Sequence, residues 1–201
     1  MSDNKDFKIP ADPWLLFREW LAAAESAEPS DPNAMSLATV GAHGMPSARI
    51  VLLKSFDESG FVFMTNRESN KGQQLTRHPK AALCFHWKSQ RRQVRAEGDI
   101  VPVDDKESDD YFATRPRGSQ IGAWASQQSR PLASRSELEQ RAKDFERKFE
   151  DKPVPRPSHW GGFRLSPNLI EFWQDREFRM HDRIVYHRGP AKAWTHERLY
   201  P

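Results

Sequence analysis

The sequence predicts a mainly β protein with peripheral helices, built as an antiparallel barrel. Strand-like segments recur along the chain, separated by turns rich in Gly, Asp and Ser. Seven Trp and twelve Phe offset a mean hydropathy of −0.83 that alone would point to disorder, because each large ring buries about 150–250 Å². The length of 201 residues suits one domain, and a chain of this size buries roughly 70% of its unfolded surface without metal or disulfide. A polar chain this rich in rings also suits burial of surface in an oligomer.

Residues 1–10 read as a flexible tail, and residues 11–201 as the domain. Asp12-Pro13 starts the first helix with proline at its first position, and Trp14, Phe17, Trp20 and Leu21 follow at helical spacing. The run Glu28-Pro29-Ser30-Asp31-Pro32 ends it. Strands are expected over 35–40, 48–54 and 61–65, with turns at 41–44 and 57–60. A short helix over 69–77 stops before Pro79, and 81–87 pairs with 93–103 as a hairpin. Helices are expected over 106–114, 119–126 and 134–150, the last one so charged that it reads as a solvated face. After the stiff connector 153–157, strands return over 160–165, 170–174, 181–187 and 193–198.

Lys and Arg exceed Asp and Glu by 31 to 28, a net charge of +3. That dispersed excess suits small anionic ligands and gives no footprint for nucleic acid. The lone cysteine, Cys84, excludes an internal disulfide framework and lies in an apolar run, so a buried inert thiol is expected. Met1-Ser2-Asp3-Asn4-Lys5 has no signal-peptide character, and no apolar run approaches the ~18 residues of a membrane span. A cytoplasmic protein off the membrane is expected. Dinucleotide, Walker, nucleophile-elbow and zinc-protease motifs are all missing, and the seven His lack metal-ligand spacing, so no metal is expected.

Three groups of residues carry candidate chemistry. Arg49-Ile50-Val51-Leu52-Leu53-Lys54 is an apolar strand with a cation at each end. Alternation puts Ile50, Leu52 and Lys54 on one face and Arg49, Val51 and Leu53 on the other. The cations either snorkel from the strand ends or face a ligand. Tyr111, Arg115 and Ser119 follow at spacings of four, with Pro116 ending one helix and starting another. An Arg and two hydroxyls at a fresh helix N-terminus suit a phosphate, although a surface Arg beside an ordinary cap fits the same pattern. Arg179, His181 and Arg183 share a face if their segment is extended. Such a row is costly to bury and common at anion-binding clefts, and two arginines beside a histidine favour neutral imidazole. A structural histidine is the competing reading.

In order, these segments resemble the pyridoxamine 5′-phosphate oxidase family. The resemblance is carried by 49–54, 61–66, 92–94, 111–124, 126–129, 160–164, 171–174, 179–183 and the closing Arg198-Leu199-Tyr200-Pro201. It implies an FMN-binding split β-barrel, a homodimer with two FMN sites between the subunits. It also implies oxidation of pyridoxamine or pyridoxine 5′-phosphate to pyridoxal 5′-phosphate, with O2 reduced to H2O2. By matched position, FMN contacts Arg49, Ile50, Val51, Leu52, Leu53, Lys54, Met64, Thr65, Asn70, Lys71, Gln93, Gln128, Ser129, Trp173 and Arg183. The substrate phosphate meets Lys54, Tyr111, Arg115 and Ser119, while Arg179, Met180 and His181 lie at the pyridine ring, with Arg179 and His181 the catalytic pair. The chain departs from the family pattern at Asn70 (usually Arg), Asp175 (usually Gly) and Met180 (commonly Leu), and lacks a basic-aromatic N-terminal segment. A flavin reductase-like or general-stress split barrel shares the fold implied, and a non-catalytic pyridoxal-phosphate carrier shares the cleft.

Overall fold

The computed structural model describes residues 9–201. In chain order it contains α1 (Pro13–Ala27), β1 (Ala34–Val40), β2 (Pro46–Asp57), β3 (Gly60–Asn66), α2 (Asn70–Arg77), β4 (Lys80–Trp87), β5 (Arg92–Pro102), α3 (Asp105–Ala113), α4 (Arg117–Ala125), α5 (Arg135–Lys148), β6 (Trp160–Gln174), β7 (Asp182–Arg188) and β8 (Trp194–Arg198). The strands run in the order β3-β2-β1-β4-β5-β6-β7-β8, and β3 also pairs with β6. That extra pairing closes β1–β6 into an antiparallel six-stranded barrel and leaves β7 and β8 as an extension from β6.

β6 makes the closure and the extension at once. Its first residues pair with β3, from Asn66 opposite Trp160 to Phe61 opposite Leu165. Its last residues pair with β7, from Leu169 opposite His187 to Gln174 opposite Asp182. The sequence reading places two strands here, over 160–165 and 170–174; the structure has one, with Pro167 in its middle. Proline lacks the N–H of a ladder, so it is tolerated only at edges and irregularities. Pro167 falls where β3 has ended and β7 has not begun, and the β5 register shifts opposite it between Glu97 and Gly98.

α1 buries Trp14, Leu16, Phe17, Trp20, Leu21 and Ala24. Asp12 caps it by accepting from the Trp14 N–H at 2.9 Å. Phe17 meets Phe61 on β3 and Phe85 on β4 with ring centroids 4.9 and 5.2 Å apart, so the helix lies on the aromatic core. Ile9 packs on the same cluster, and Pro10 accepts from the Tyr186 hydroxyl at 2.8 Å. The end of the expected flexible tail is therefore held, while residues 1–8 lie outside the described residues. A smaller cluster of Phe112, Ile121, Phe149, Val154 and Trp160 docks α3, α4 and the end of α5 beside β6. α5 itself has no fully buried residue, as its charge run implies. Cys84 corrects the sequence reading in part: it is half-buried, on the opposite face of β4 from Leu83 and Phe85. Burial nevertheless raises its thiol pKa, which keeps it protonated.

Candidate active site

A cavity of about 490 Å³ opens between β2, β3, the start of α2 and the α3–α4 helices. Its wall holds Lys54, Lys71 and Arg115 and, among the described residues, no carboxylate. Such a surplus of cations in a half-enclosed space favours an anionic occupant.

Each cation is placed by local structure. Ser69 caps α2 by accepting from the Gly72 N–H at 3.3 Å, which sets Lys71 in the helix's first turn. The Lys71 ammonium donates to Gln128 Oε1 at 2.8 Å, Thr65 Oγ1 at 3.2 Å and Ser69 Oγ at 3.4 Å. Burial, and then the charge of Arg49, hold its pKa below the ordinary value. Lys54 lies over the Tyr111 ring at 5.6 Å, and Tyr111 stacks on Trp160 at 6.2 Å with the planes 4° apart. Arg115 lies over Trp160 at 4.7 Å and Phe112 at 5.4 Å. Burial lowers its pKa, and its Nη1 is buried with no hydrogen-bond partner. A buried charged donor left unpaired is expensive, and an oxyanion in this cavity satisfies it.

Most of the sequence-expected residues fall into two groups. Ile50, Val51, Leu52, Lys54, Met64, Thr65, Lys71, Tyr111, Arg115, Ser119 and Gln128 line this cavity. Gln93, Trp173 and Arg183 lie elsewhere, on three adjacent strands: Gln93 opposes Trp173 across β5 and β6, and Trp173 opposes Arg183 across β6 and β7. His181 joins them with its ring 4.7 Å from that of Trp173. Arg183 donates through Nε to Glu171 at 2.8 Å, and Glu171 is a buried carboxylate that also accepts from Arg95 at 2.7 Å.

The other expected residues lie outside both groups, and the backbone at Arg179 corrects the reading of an extended segment. Arg49 does not line the cavity. Its guanidinium donates to the Leu37 carbonyl at 3.1 Å and to the hydroxyls of Thr39 and Ser47, which locks β1 to β2. Leu53 is buried in the core, as strand alternation from Val51 requires. Asn70 is exposed on the first turn of α2, and Ser129 sits in a left-handed turn (φ 72°) just past Gln128. The segment at Arg179 is not extended. Residues Glu177–Arg179 form a 3₁₀ turn with Phe178 and Arg179 at φ of 55° and 61°, and the strand begins only at Asp182. Arg179 and Met180 are exposed there, so they do not share a strand face with His181 and Arg183. The cavity also uses Asn66, Gly122, Ala123, Ser126 and Trp160, which the sequence reading did not assign. The partners Glu171 and Asp175 were missed because carboxylates that hold cations have no spacing signature of their own.

Residues 21–149 match the family model described as pyridoxamine 5′-phosphate oxidase. The chain belongs to that family. Residues 160–201 match a second model, the pyridoxine 5′-phosphate oxidase C-terminal dimerisation region. The pyridoxine/pyridoxamine 5′-phosphate oxidases of Brucella canis and Brucella suis are each 55% identical over 201 residues, covering 100% of this chain and 99% of theirs. Among solved structures, PhzG from Burkholderia lata, in complex with tetrahydrophenazine-1-carboxylic acid, is 32% identical with a TM-score of 0.89 over 96% of this chain and 94% of its own. An FMN-binding protein of Nostoc punctiforme related to the family shares the fold at TM-score 0.76 and 19% identity, covering 96% of this chain and 100% of its own. No described helix is long and apolar enough to cross a membrane.

Proposed function

We propose that this chain oxidises pyridoxamine 5′-phosphate and pyridoxine 5′-phosphate to pyridoxal 5′-phosphate with FMN as cofactor and O2 as acceptor. It acts as a cytoplasmic homodimer in which residues 11–201 form one FMN-binding split-barrel domain. The observation that carries the reading is the cavity with three cations and, among the described residues, neither a carboxylate in its wall nor a partner for Arg115 Nη1. Both FMN and the substrate are phosphate monoesters, and the cavity offers two separate cationic positions for them.

Lys71, with Thr65 and Gln128 around its ammonium, is the cradle for the FMN phosphate, and the first turn of α2 adds its favourable dipole. Ile50, Val51, Leu52, Lys54 and Met64 form the wall for the flavin ring. Arg115, Tyr111, Ser119 and Lys54 hold the substrate phosphate, with Ser119 in the first turn of α4. When bound, FMN supplies the redox chemistry by accepting hydride and passing electrons to O2. The chain supplies binding and orientation.

Arg179, Met180 and His181 lie off this wall, with His181 beside Trp173 in the group that includes Gln93 and Arg183. A second protomer brings that group to the cavity, which explains why one chain leaves the set divided. Arg179 fixes the pyridine ring by charge and planar packing, and His181 accepts a hydrogen bond from the C4′ substituent. The test is an absorbance spectrum of the purified protein before and after anaerobic pyridoxine 5′-phosphate. A flavin spectrum that bleaches, and H2O2 formed on readmitting air, are expected. A flavin spectrum unchanged by substrate leaves a carrier or another flavoprotein.

A further inference from the structure

The connection between β6 and β7 holds a carboxylate–imidazole contact. Asp175 follows the last residue of β6, and its Oδ1 lies 2.9 Å from His181 Nδ1. Asp175 Oδ2 accepts from Arg91 Nε at 2.7 Å, and its backbone N–H donates to the Arg91 carbonyl at 3.0 Å. The turn between β4 and β5 thus fixes the carboxylate, while Trp173 fixes the ring. The other charged groups nearby are engaged elsewhere. Asp182 is taken by Arg176 at 2.8 Å and Arg198 at 3.2 Å, and Glu171 by Arg183. Arg179 is exposed on the intervening turn. Asp175 is therefore the carboxylate in contact with the imidazole.

We propose that Asp175 is a positioning residue for His181: it accepts the Nδ1 proton, fixes the Nδ1–H tautomer and leaves Nε2 as the open acceptor nitrogen. The backbone N–H of Arg176 also lies 3.1 Å from Nδ1. One ring nitrogen cannot accept from Arg176 and donate to Asp175 together. The shorter, charge-assisted contact with the carboxylate takes precedence over the neutral amide. Among the described residues Nε2 has no partner. A proton leaving the C4′ amine or hydroxyl then passes to Nε2, and the resulting imidazolium is balanced by Asp175. This last step rests on the placement of His181 at the substrate given above; the tautomer does not.

The test uses the FMN-loaded dimer with ¹⁵N-labelled histidine, the His181 signals being assigned by their loss in His181→Ala. Wild type and Arg91→Ala are expected to show Nδ1–H, and Asp175→Ala to show Nε2–H. A wild-type ring protonated on Nε2, or a tautomer unchanged in Asp175→Ala, overturns the proposal. In rapid-reaction measurements, Asp175→Ala should slow the limiting rate of flavin reduction by roughly tenfold or more, with substrate Kd within about twofold, and this loss should vanish in a His181→Ala background. The same loss in that background would make Asp175 merely a tether for the turn and overturn its role towards His181. A wild-type protein whose flavin does not bleach refutes the oxidase reading while the tautomer is still decided by the spectra.

Discussion

Lys71 and Arg115 sit where burial opposes their charge. Their loss should separate the two phosphates. Lys71→Ala removes a charge-assisted bond worth about 1.5–3 kcal/mol, one to two decades in affinity. It should purify substantially free of flavin and regain colour with added FMN, as titration by fluorescence quenching will show. Arg115→Ala should keep its flavin and weaken pyridoxine 5′-phosphate binding by a similar factor, read from the concentration dependence of flavin reduction. Glu171 shows the opposite economy. Burial disfavours its charge, but hydrogen bonds and Coulomb attraction from Arg183 and Arg95 outweigh that and hold its pKa below the usual carboxylate range. A depressed carboxylate stabilises the fold fully above its unfolded pKa, and the contribution fades as pH falls through the folded value. Glu171→Gln should therefore lower stability by about 1–3 kcal/mol at pH 7. In urea titrations that gap should narrow below pH 4. Arg183, freed from Glu171 Oε1, loses its fixed direction at the same time.

At the level of elements, the barrel depends on close approaches that only a missing side chain permits. Gly60 starts β3 at φ +141°, and a Cβ there would lie 2.0 Å from the Leu165 carbonyl oxygen of β6. That contact is backbone on the strand that closes the barrel, so it cannot be relieved by a rotamer change. Gly60→Ala should cost on the order of 3 kcal/mol, measured by thermal or urea unfolding, with hydrogen exchange rising first along β3 and the first half of β6. The turn Asp57-Glu58-Ser59-Gly60 was legible from its residues, whereas the clash partner was not, because Leu165 is remote in sequence. The β6–β7 connection shows the other limit. Alternation correctly sorted Leu53 from Lys54 on β2, but it fails across residues 177–180, where two successive left-handed residues end the strand geometry.

At the scale of the whole molecule, the expected site residues are divided between two places on one chain. The cavity wall holds Lys71 and Arg115, while Gln93, Trp173, His181 and Arg183 cluster on β5–β7 and their flank. Light scattering should give a dimer, with an interface well above the ~1,600 Å² of a standard complex. A stronger check mixes Arg115→Ala and Arg179→Ala after unfolding and refolding together, at a substrate concentration too low for either parent to turn over measurably. If each site draws on both chains, a mixed dimer contains one site with both substitutions and one with neither, so activity should reappear. Parents that stay inactive in the mixture, with mixed dimers demonstrated by mass spectrometry, would place both residues in the same chain's site.

The sequence by itself determined most of the strand positions, the buried face of α1, the approximate positions of α2 to α5, and Lys54 and Arg115 as candidate cations, which the cavity wall presents. These are local properties, set by side-chain period, capping chemistry and ordered motifs that survive without knowledge of neighbours. The tertiary structure alone decided that 160–174 is one strand shared by the barrel and its extension. It also decided that Arg49 serves the β1–β2 frame rather than the cavity, and that Asp175 meets His181. Each of these depends on which distant backbone or charge lies alongside, and a linear pattern of residues carries no such information until the chain has closed on itself.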